Sequence, residues 1–425
     1  MKIVSLKKEE FDNFASQYPN NNYCQSSSYG EFEKETEGYE IHYLGFVDNK
    51  GNLFGAGLML YKPSVLGYKY AYSPRGLLID YTNIQMLREV TQELKKLLKK
   101  QKFIFVKMDP LIIASERDKE GNIIKFNNVV NNILGELKKL NYVHIGFNLY
   151  NESKLPRWYV SARLNNDARI TYNNFSSEVK EKITYANNMA FNVSFDNTGS
   201  VDRFLDYIKT TSIKKSRKYF ECLFNKFRGK IKVFYAFLDT KRYVSNANDL
   251  YNAEEEKNKS LGEIIQSGDN VKYNIQKAVN DKMDSDKLLS QYKKDIVSST
   301  KVLKLHPEGI ICGVALTIEE TNGVSILINY ENPDYARNNI STLLTYEIMK
   351  FFGKMNYKYI NLGSVTGNFN STSKYYPLLL SKLGFNSSIL EYIGEFDMII
   401  NPFMYKIHKS REKKIEARNN NSKKK

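Results

Sequence analysis

The sequence predicts a mixed α/β fold of two similar halves, with a helical insertion in the second half. Both halves contain apolar runs that alternate with period two, followed by amphipathic helices and short buried strands. The order of these elements begins again near residue 148, and a stretch with few apolar residues interrupts the second copy. Because 425 residues exceed one typical core, two globular units are expected.

The first unit is predicted to span residues 1–147. The runs "EIHYLGFVD" and "LFGAGLMLYKPSV" flank the turn "NKGN", which indicates a β-hairpin. A strand in "YKYAYSPRGLLID" follows, and then a helix in "IQMLREVTQELKKLLKKQ", whose apolar residues recur at helical spacing. The run "KFIFVKMDP" is a buried strand that Pro110 ends. These elements indicate an α/β unit with a mixed sheet.

The second unit is predicted to comprise residues 148–241 and 307–395. It contains strands in "LPRWYVSARL" and "KIKVFYAFLD", a hairpin with an Asn-Gly turn near residue 322, and the helix "ISTLLTYEIMKFFGKMN". The stretch from Ser381 to Pro402 is predicted to form two strands joined by a turn. Residues 396–425 are predicted to be a return segment and a basic tail, which either contacts phosphate or lipid or is a solvated terminus.

The insertion, residues 242–306 (the arm), is rich in Glu, Lys and Asn. Sparse apolar residues near heptad spacing, and the reversal signal "QSGDN" in the middle, predict two antiparallel helices in a short coiled coil. The alternative is a disordered charged linker. The arm is also a candidate dimer contact.

Composition excludes several classes of function. Three separated cysteines and four scattered histidines give no disulfide framework, no metal cluster and no Ser-His-Asp triad. The start lacks a signal-peptide core, and no apolar run is long enough to span a membrane, which predicts a cytosolic protein. The net charge of +16 favours a polyanionic partner, such as nucleic acid, anionic lipid or a phosphorylated substrate. Dispersed lysines that serve solubility are the alternative.

The window "INYENPDYARNNISTLLTYEIM" resembles the acetyl-CoA-binding region of GNAT acetyltransferases, in which a strand, a loop and a helix N-terminus hold a pyrophosphate. Ser341 is the predicted N-cap. Asn338, Asn339 and Ile340 replace the family's glycines, and their side chains obstruct close approach of a pyrophosphate. The resemblance implies a GNAT-like fold and leaves an acetyl-CoA-dependent N-acyltransferase as an alternative function.

Over almost its whole length the chain resembles the FemABX peptidyltransferases, especially the FemA type that carries a helical arm. The ordered motifs are "YCQSSSYGEFEKETEGYEIHYLG", "YSPRGLLIDY", "FVKMDP", "YANNMAFNV", "YEIMKFFGKMNYKYINLGSVTG" and "SKLGFNSSILEYIGEFDMIINPFMYKI". The resemblance implies two tandem GNAT-like subdomains. It also implies transfer of Gly, Ala or Ser from aminoacyl-tRNA to the amine of a peptidoglycan precursor, either lipid II or UDP-MurNAc-pentapeptide. The protein would then work at the inner membrane face, and neither cofactor nor metal is expected.

The same resemblance implies roles for individual residues. Asp109 matches the family's substrate-contacting aspartate, and its alternative role is a turn residue before Pro110. Lys34 matches a lysine that contacts the acceptor, and Lys382 matches the first lysine of an "FKKGF"-like segment that meets the acceptor diphosphate. The remaining predicted substrate-binding residues are Lys180, Lys182, Tyr346 and Tyr375, with Tyr376 beside them; for the tyrosines, core packing is the alternative.

The sequence also departs from the family's pattern. Glu181 stands among the cations of a helix that is usually dense in Arg and Lys, and Leu383 replaces the second lysine of the "FKK" segment. A second alternative is therefore an RNA- or membrane-surface-binding paralogue without turnover. Glu391, Glu395 and Asp397 are predicted to be structural.

Overall fold

The computed structural model describes residues 1–422 except residues 20, 151, 197, 198, 210, 270, 271 and 273, with side chains up to residue 415. Two β-sheets, of seven and nine strands, organise this part of the chain. The strands are β1 Lys2–Ser5, β2 Glu40–Val47, β3 Leu53–Pro63, β4 Lys69–Ser73, β5 Phe103–Met108, β6 Ile113–Arg117, β7 Ile123–Phe126, β8 Tyr142–His144, β9 Trp158–Arg163, β10 Phe191–Asp196, β11 Ile231–Leu238, β12 Ile310–Glu319, β13 Gly323–Glu331, β14 Tyr359–Ser364, β15 Ser387–Tyr392 and β16 Phe396–Ile399.

Helices cover the sheets and form the arm. They are α1 Lys8–Gln17, α2 Ser27–Glu37, α3 Ile84–Lys100, α4 Val130–Lys139, α5 Ala168–Asn173, α6 Ser177–Asn188, α7 Val201–Ile208, α8 Arg217–Lys226, α9 Thr240–Ser267, α10 Ile275–Leu305, α11 Ile340–Lys354, α12 Tyr376–Leu383 and α13 Pro402–Ser422. Short 3₁₀ turns occupy Tyr23–Gln25, Val65–Gly67 and Pro333–Asn338.

The two sheets share a strand pattern. The first has the order β1-β2-β3-β4-β5-β16-β8, and the second has the order β10-β11-β12-β13-β14-β9-β15-β6-β7. In each, four antiparallel strands are followed by one parallel pair, β4 with β5 and β13 with β14. This repeat confirms the predicted mixed α/β architecture of two similar units.

Sheet membership crosses the boundary at residue 147 that the sequence suggested. Strands β6 and β7 precede that residue, yet they belong to the second sheet, where β6 pairs with β15 and β7 pairs with β6. Strand β16 comes near the end of the chain and pairs with β5 and β8 in the first sheet. Each sheet therefore takes strands from both parts of the sequence, and this exchange fixes the sheets to each other.

The two strands predicted within Ser381–Pro402 form as β15 and β16, but they do not pair with each other. The stretch begins inside α12, and the two strands that follow belong to different sheets. Gly394, with φ +93°, lies between them, where the chain leaves one sheet for the other. No hairpin forms because β15 pairs with β9 and β6, while β16 pairs with β5 and β8.

A hydrophobic core joins the two units. Phe11, Tyr29 and Leu58 of the first half pack in one cluster with Phe220 and Leu316 of the second half. Each unit also has a core of its own, around α3 in the first and around α11 in the second. Because apolar side chains are close-packed across the join, the cavities beside it have defined walls.

The arm forms two long helices, as the sequence predicted. At its base the Thr240 hydroxyl donates to the carbonyl of His306 (2.7 Å), and halfway along it the Asn258 amide donates to the Ser285 hydroxyl (3.1 Å). These pairings run in opposite directions along α9 and α10, so the helices are antiparallel. Gly268 ends α9 in the left-handed conformation. The predicted heptad packing stays a prediction.

Candidate active site

Two adjoining cavities lie where the sheets meet. The smaller has a volume of about 640 Å³ and the larger about 810 Å³. They share four lining residues, Asn22, Arg75, Tyr159 and Asn361 (the shared residues). Asn22 and Arg75 come from the first half, whereas Tyr159 and Asn361 lie on β9 and β14 of the second sheet. Both units therefore build the junction between the cavities.

Arg75 is the central side chain of this junction. It is 4% exposed and follows β4 with φ +56°, a left-handed conformation that is rare for arginine. Its guanidinium donates to the Tyr159 hydroxyl (2.8 Å) and to the carbonyl of Pro156 (3.3 Å), and it stacks on the rings of Tyr159 and Tyr392. Arg75 thus connects the end of a first-sheet strand to the second sheet.

Asp109, predicted to contact substrate, lies directly after β5 and is 3% exposed. Its Oδ1 accepts from the backbone N–H of Arg75 (2.8 Å) and from the Tyr72 hydroxyl (3.2 Å), and its Oδ2 lies 3.4 Å from Arg75 Nη1. Burial raises the pKa of Asp109 to about 6, against the opposing effect of Arg75. Asp109 lines neither cavity, but it contacts Arg75, which lines both. Asp109 can therefore affect the cavities through Arg75.

Lys382, the predicted diphosphate ligand, lines the smaller cavity. It stands in the last turn of α12, and its Nζ donates to the carbonyl of Ser364 (2.9 Å). None of the carboxylates that the structure describes lies within 4.0 Å of this Nζ. Because burial disfavours a charge without a counter-ion, it lowers the pKa of Lys382 to about 8.

The start of α11 borders the same cavity. The helix begins at Ile340, and its N-cap is Asn339 in the left-handed conformation, whereas the sequence predicted Ser341 as the cap. Asn339 accepts this conformation because its short polar side chain tolerates positive φ. The Ser341 N–H donates to Glu331 Oε2 (2.8 Å), so a carboxylate already occupies this helix N-terminus.

The predicted site residues Lys34, Lys180 and Lys182 lie outside the two cavity linings. Lys34, in the last turn of α2, is 3.8 Å from Glu40 and about half exposed. In α6, Lys180 donates to the carbonyl of Asn173 (2.8 Å), and Lys182 pairs with Glu178. These three lysines therefore form surface contacts within their own neighbourhoods.

The predicted site tyrosines also lie outside the two cavity linings. Tyr346, on α11, packs against Tyr172 and Phe175, at ring distances of 5.6 and 5.9 Å, in the second core. Tyr375 is 40% exposed just before α12, and its ring lies 6.2 Å from that of Tyr150. Tyr376 is partly buried against the second core.

The three carboxylates near the end of the chain have structural contacts, as predicted. Glu391 pairs with Arg117 and Arg157, Glu395 with Lys107, and Asp397 with Lys107 and Lys409. All three are buried. Their ion pairs with Lys and Arg side chains explain the acidic composition of this stretch in a basic chain.

Sequence reasoning missed most of the junction. Arg75 was only part of the quoted motif "YSPRGLLIDY", and Asn22, Tyr159 and Asn361 carried no assigned role. The available signal was the tripeptide Pro74-Arg75-Gly76 directly after a strand, because Pro and Gly close together mark a turn. Partners separated by 84 residues, such as Arg75 and Tyr159, leave no local pattern.

The residues that the structure describes contain no group of three or more His, Cys, Asp or Glu side chains arranged to hold a metal ion. Among the helices of that same part of the chain, none combines the length and the apolar character that crossing a membrane requires.

Comparison with known proteins gives a consistent result. The chain is 24% identical over 422 residues to "Aminoacyltransferase FemA" of Staphylococcus epidermidis, covering 97% of this chain and 99% of that protein. It is 23% identical over 426 residues to "Lipid II:glycine glycyltransferase" of Staphylococcus haemolyticus, covering 96% and 95% of the two chains.

Among solved structures, the crystal structure of FemX superposes with a TM-score of 0.71 at 21% identity. The superposition covers 96% of this chain and 99% of FemX, so the two share a fold. The model of the FemAB family matches residues 6–413. The chain belongs to the FemAB family.

Proposed function

We propose that this protein transfers an amino acid, Gly, Ala or Ser, from aminoacyl-tRNA to the amine of a peptidoglycan precursor. The acceptor is a stem peptide or a growing bridge, carried on lipid II or on UDP-MurNAc-pentapeptide. The proposal is supported by the family and by relatives named as aminoacyltransferases and as a lipid II:glycine glycyltransferase.

The single observation that carries the proposal is the pair of adjoining cavities. A transferase with two large substrates must bring two reactive ends together while the bulk of each substrate stays apart. Two cavities that meet at Arg75 and Tyr159 suit this task. The reaction centre in this proposal is the junction formed by the shared residues.

The chemistry demands little beyond positioning. An aminoacyl ester is already activated, so a neutral amine attacks it without a covalent enzyme intermediate. Lys382 offers a cation to the acceptor diphosphate or to another anionic group in the smaller cavity. Asp109 holds the Arg75 guanidinium in place from behind, which makes Asp109 a positioning residue in this proposal.

Donor and membrane binding follow from charge. The net charge of +16 favours binding of tRNA through its phosphates, with an affinity that falls steeply with salt. The same charge favours a peripheral position at the anionic inner face of the plasma membrane, where lipid II is found. The arm, the exposed Lys34 and the partly buried Lys180 and Lys182 are the proposed contributors to these polyanion contacts.

Acetyl-CoA is a weaker candidate donor. The pyrophosphate of acetyl-CoA needs free backbone N–H groups at a helix N-terminus. At α11 the Ser341 N–H is bonded to Glu331, and a carboxylate there repels a pyrophosphate. A thermal-shift screen with acyl-CoAs is therefore expected to give no stabilisation.

The proposal is tested with purified protein, tRNA charged with labelled Gly, Ala or Ser, and both acceptor forms. We expect one labelled amino acid to move to at least one acceptor. Absence of transfer in all six combinations contradicts the proposal. If tRNA or anionic vesicles bind under those conditions without transfer, the protein is a binding paralogue. Glu181, which stands among the cations of α6, favours this second candidate.

A further inference from the structure

We propose that Glu320 binds the ammonium group of the acceptor in the larger cavity and accepts its proton. The inference rests on the proposed function, because it assigns a residue to the amine that the transfer requires. Lys382 lines the smaller cavity and Glu320 lines the larger one, so the two charges lie in different cavities that share Arg75 and Tyr159.

Glu320 is held firmly at the turn between β12 and β13. Its Oε1 accepts hydrogen bonds from the Asn22 amide (2.8 Å) and the Ser325 hydroxyl (2.7 Å), and its Oε2 accepts one from the Tyr359 hydroxyl (3.1 Å). The side-chain Oδ1 of Asn22 accepts from the backbone N–H of Cys24 (3.1 Å), which leaves the Asn22 Nδ2 to donate to Glu320. Three donors aimed at one carboxyl favour its ionised form.

Gly323 makes this arrangement possible. A Cβ at this position would lie 2.2 Å from the ring of Tyr359. The absence of a side chain therefore lets that ring lie against the hairpin and reach Glu320. The geometry is built by the hairpin, by β14 and by the first half of the chain together.

The Glu320 carboxylate has no counter-ion in the described part of the chain. Every Lys, Arg and His side chain described lies more than 4.0 Å from it. Arg75, the cation that shares the cavity wall, is already paired with Asp109. The other charged residues of the lining are Asp80, which bonds Thr82, Glu116, 3.5 Å from Lys125, and Arg163, which is exposed.

A half-buried carboxylate without a cation is costly unless a ligand supplies the charge. A carboxylate offers about four lone-pair positions, and the three donors leave one on Oε2. A primary ammonium group supplies both the missing proton donor and the missing positive charge. Burial raises the pKa of Glu320, with Ser325, Tyr359 and Arg75 opposing it, which suits a group that must take a proton.

The position of Glu320 also fits the reaction. Asn22 contacts Glu320 and lines both cavities, so the carboxylate is one side chain from the junction. In the proposed step, one ammonium proton moves to Glu320 and frees the nitrogen lone pair. The N–C bond forms as the ester C–O bond breaks, and the ribose oxygen leaves with a second proton from the nitrogen.

The test compares two ligands on three proteins. The ligands are the acceptor form that supports transfer and its counterpart in which a hydroxyl replaces the reactive amine. The proteins are wild type, Glu320→Gln and the control Glu319→Gln, whose carboxylate pairs with Lys232 (2.9 Å) away from both cavities. Titration calorimetry at pH 7 measures each Kd while the amine is charged.

Wild type and Glu319→Gln are expected to prefer the amine by about tenfold or more, and Glu320→Gln by less than about threefold. Glu320→Asp, which keeps the charge, is expected to recover part of the preference and of kcat. An unchanged preference in Glu320→Gln overturns the inference. If wild type transfers but does not prefer the amine ligand, the inference about Glu320 is overturned and the proposed function stands. If wild type transfers to no acceptor, the proposed function is overturned as well.

Discussion

Two regions of this molecule treat charged side chains in opposite ways. At the end of the chain, Glu391, Glu395 and Asp397 each lie beside one or two cations. Glu320 and Lys382 line the two cavities, and no described group of opposite charge lies within 4.0 Å of either. Both regions stand at the join between the sheets.

The difference separates architecture from function. A buried charge with its partner in place is already compensated, and it fixes the strands that carry it. A charge that lines a cavity without a partner costs stability and is explained by a ligand that compensates it. The comparison therefore predicts that the first set controls folding and the second set controls binding.

The largest expected effect is on Arg75, which is paired with Asp109 and also lines both cavities. In Arg75→Met, Asp109 loses its counter-ion in a buried site, and the free energy of unfolding should fall by about 3–5 kcal/mol. Denaturant titration measures the change. Arg163→Met, an exposed arginine of the larger cavity, is the control and should change stability by less than about 0.5 kcal/mol. Equal stability of the two variants would contradict the account of Arg75.

Breaking the paired region comes next. In Glu391→Gln the buried Arg157 and the less buried Arg117 lose their carboxylate, and unfolding should become about 2–4 kcal/mol easier. The affinity for the acceptor should stay within about twofold in the folded variant, because Glu391 lines neither cavity. Glu93→Gln, an exposed partner of Lys96, is the control. If Glu391→Gln changes the acceptor affinity without lowering stability, Glu391 serves binding and not folding, which would contradict the prediction.

Removing a charge that has no counter-ion should weaken acceptor binding without lowering stability. Lys382→Ala is expected to raise the acceptor KM by about tenfold through the loss of one charge-assisted contact, while tRNA binding stays unchanged. Lys374→Ala, a nearby exposed lysine, is the control. An unchanged acceptor KM would remove Lys382 from the site.

The lowered pKa of Lys382 makes a separate prediction about pH. Between about pH 8 and 10.5 the unfolded chain holds a proton on this lysine that the folded chain has released. The stability of wild type should therefore rise with pH across this window, relative to Lys382→Met. Thermal unfolding of both proteins measures the difference, and parallel curves would contradict burial of an unpaired lysine.

The smallest effect is expected at Lys34. Its pair with Glu40 is long and exposed, so Lys34→Ala should change the free energy of unfolding by less than about 0.5 kcal/mol. The predicted acceptor contact would appear only as a raised acceptor KM. If Lys34→Ala lowers the free energy of unfolding by more than about 1 kcal/mol, Lys34 has a structural role, which would contradict this prediction.

Much of the fold followed from local sequence signals. The Asn-Gly turn gave the β12–β13 hairpin, helical periodicity gave α3 and α11, and the charged insertion gave the two arm helices. The exchange of strands between sheets did not follow. Pairings such as β6 with β15 join residues more than 270 positions apart. The local pattern of each strand predicts a strand but does not predict which other strand it pairs with.

The site was less predictable for a related reason. Lys382 was found because a family motif surrounds it, and the structure places it in a cavity wall. Glu320 looked like one more residue of a hairpin turn, since its meaning depends on Asn22 and Tyr359 from distant segments. Whether a charged residue has a counter-ion depends on residues that are close in space but distant in the sequence, so local sequence patterns do not predict it.

The most direct test of the central claim is a structure of the protein with a bound acceptor stem peptide. We expect the acceptor nitrogen to lie about 3 Å from the Glu320 carboxylate, in the larger cavity beside its junction with the smaller one, with an anionic group near Lys382. An acceptor bound elsewhere, with Glu320 and Lys382 both facing water, would contradict it.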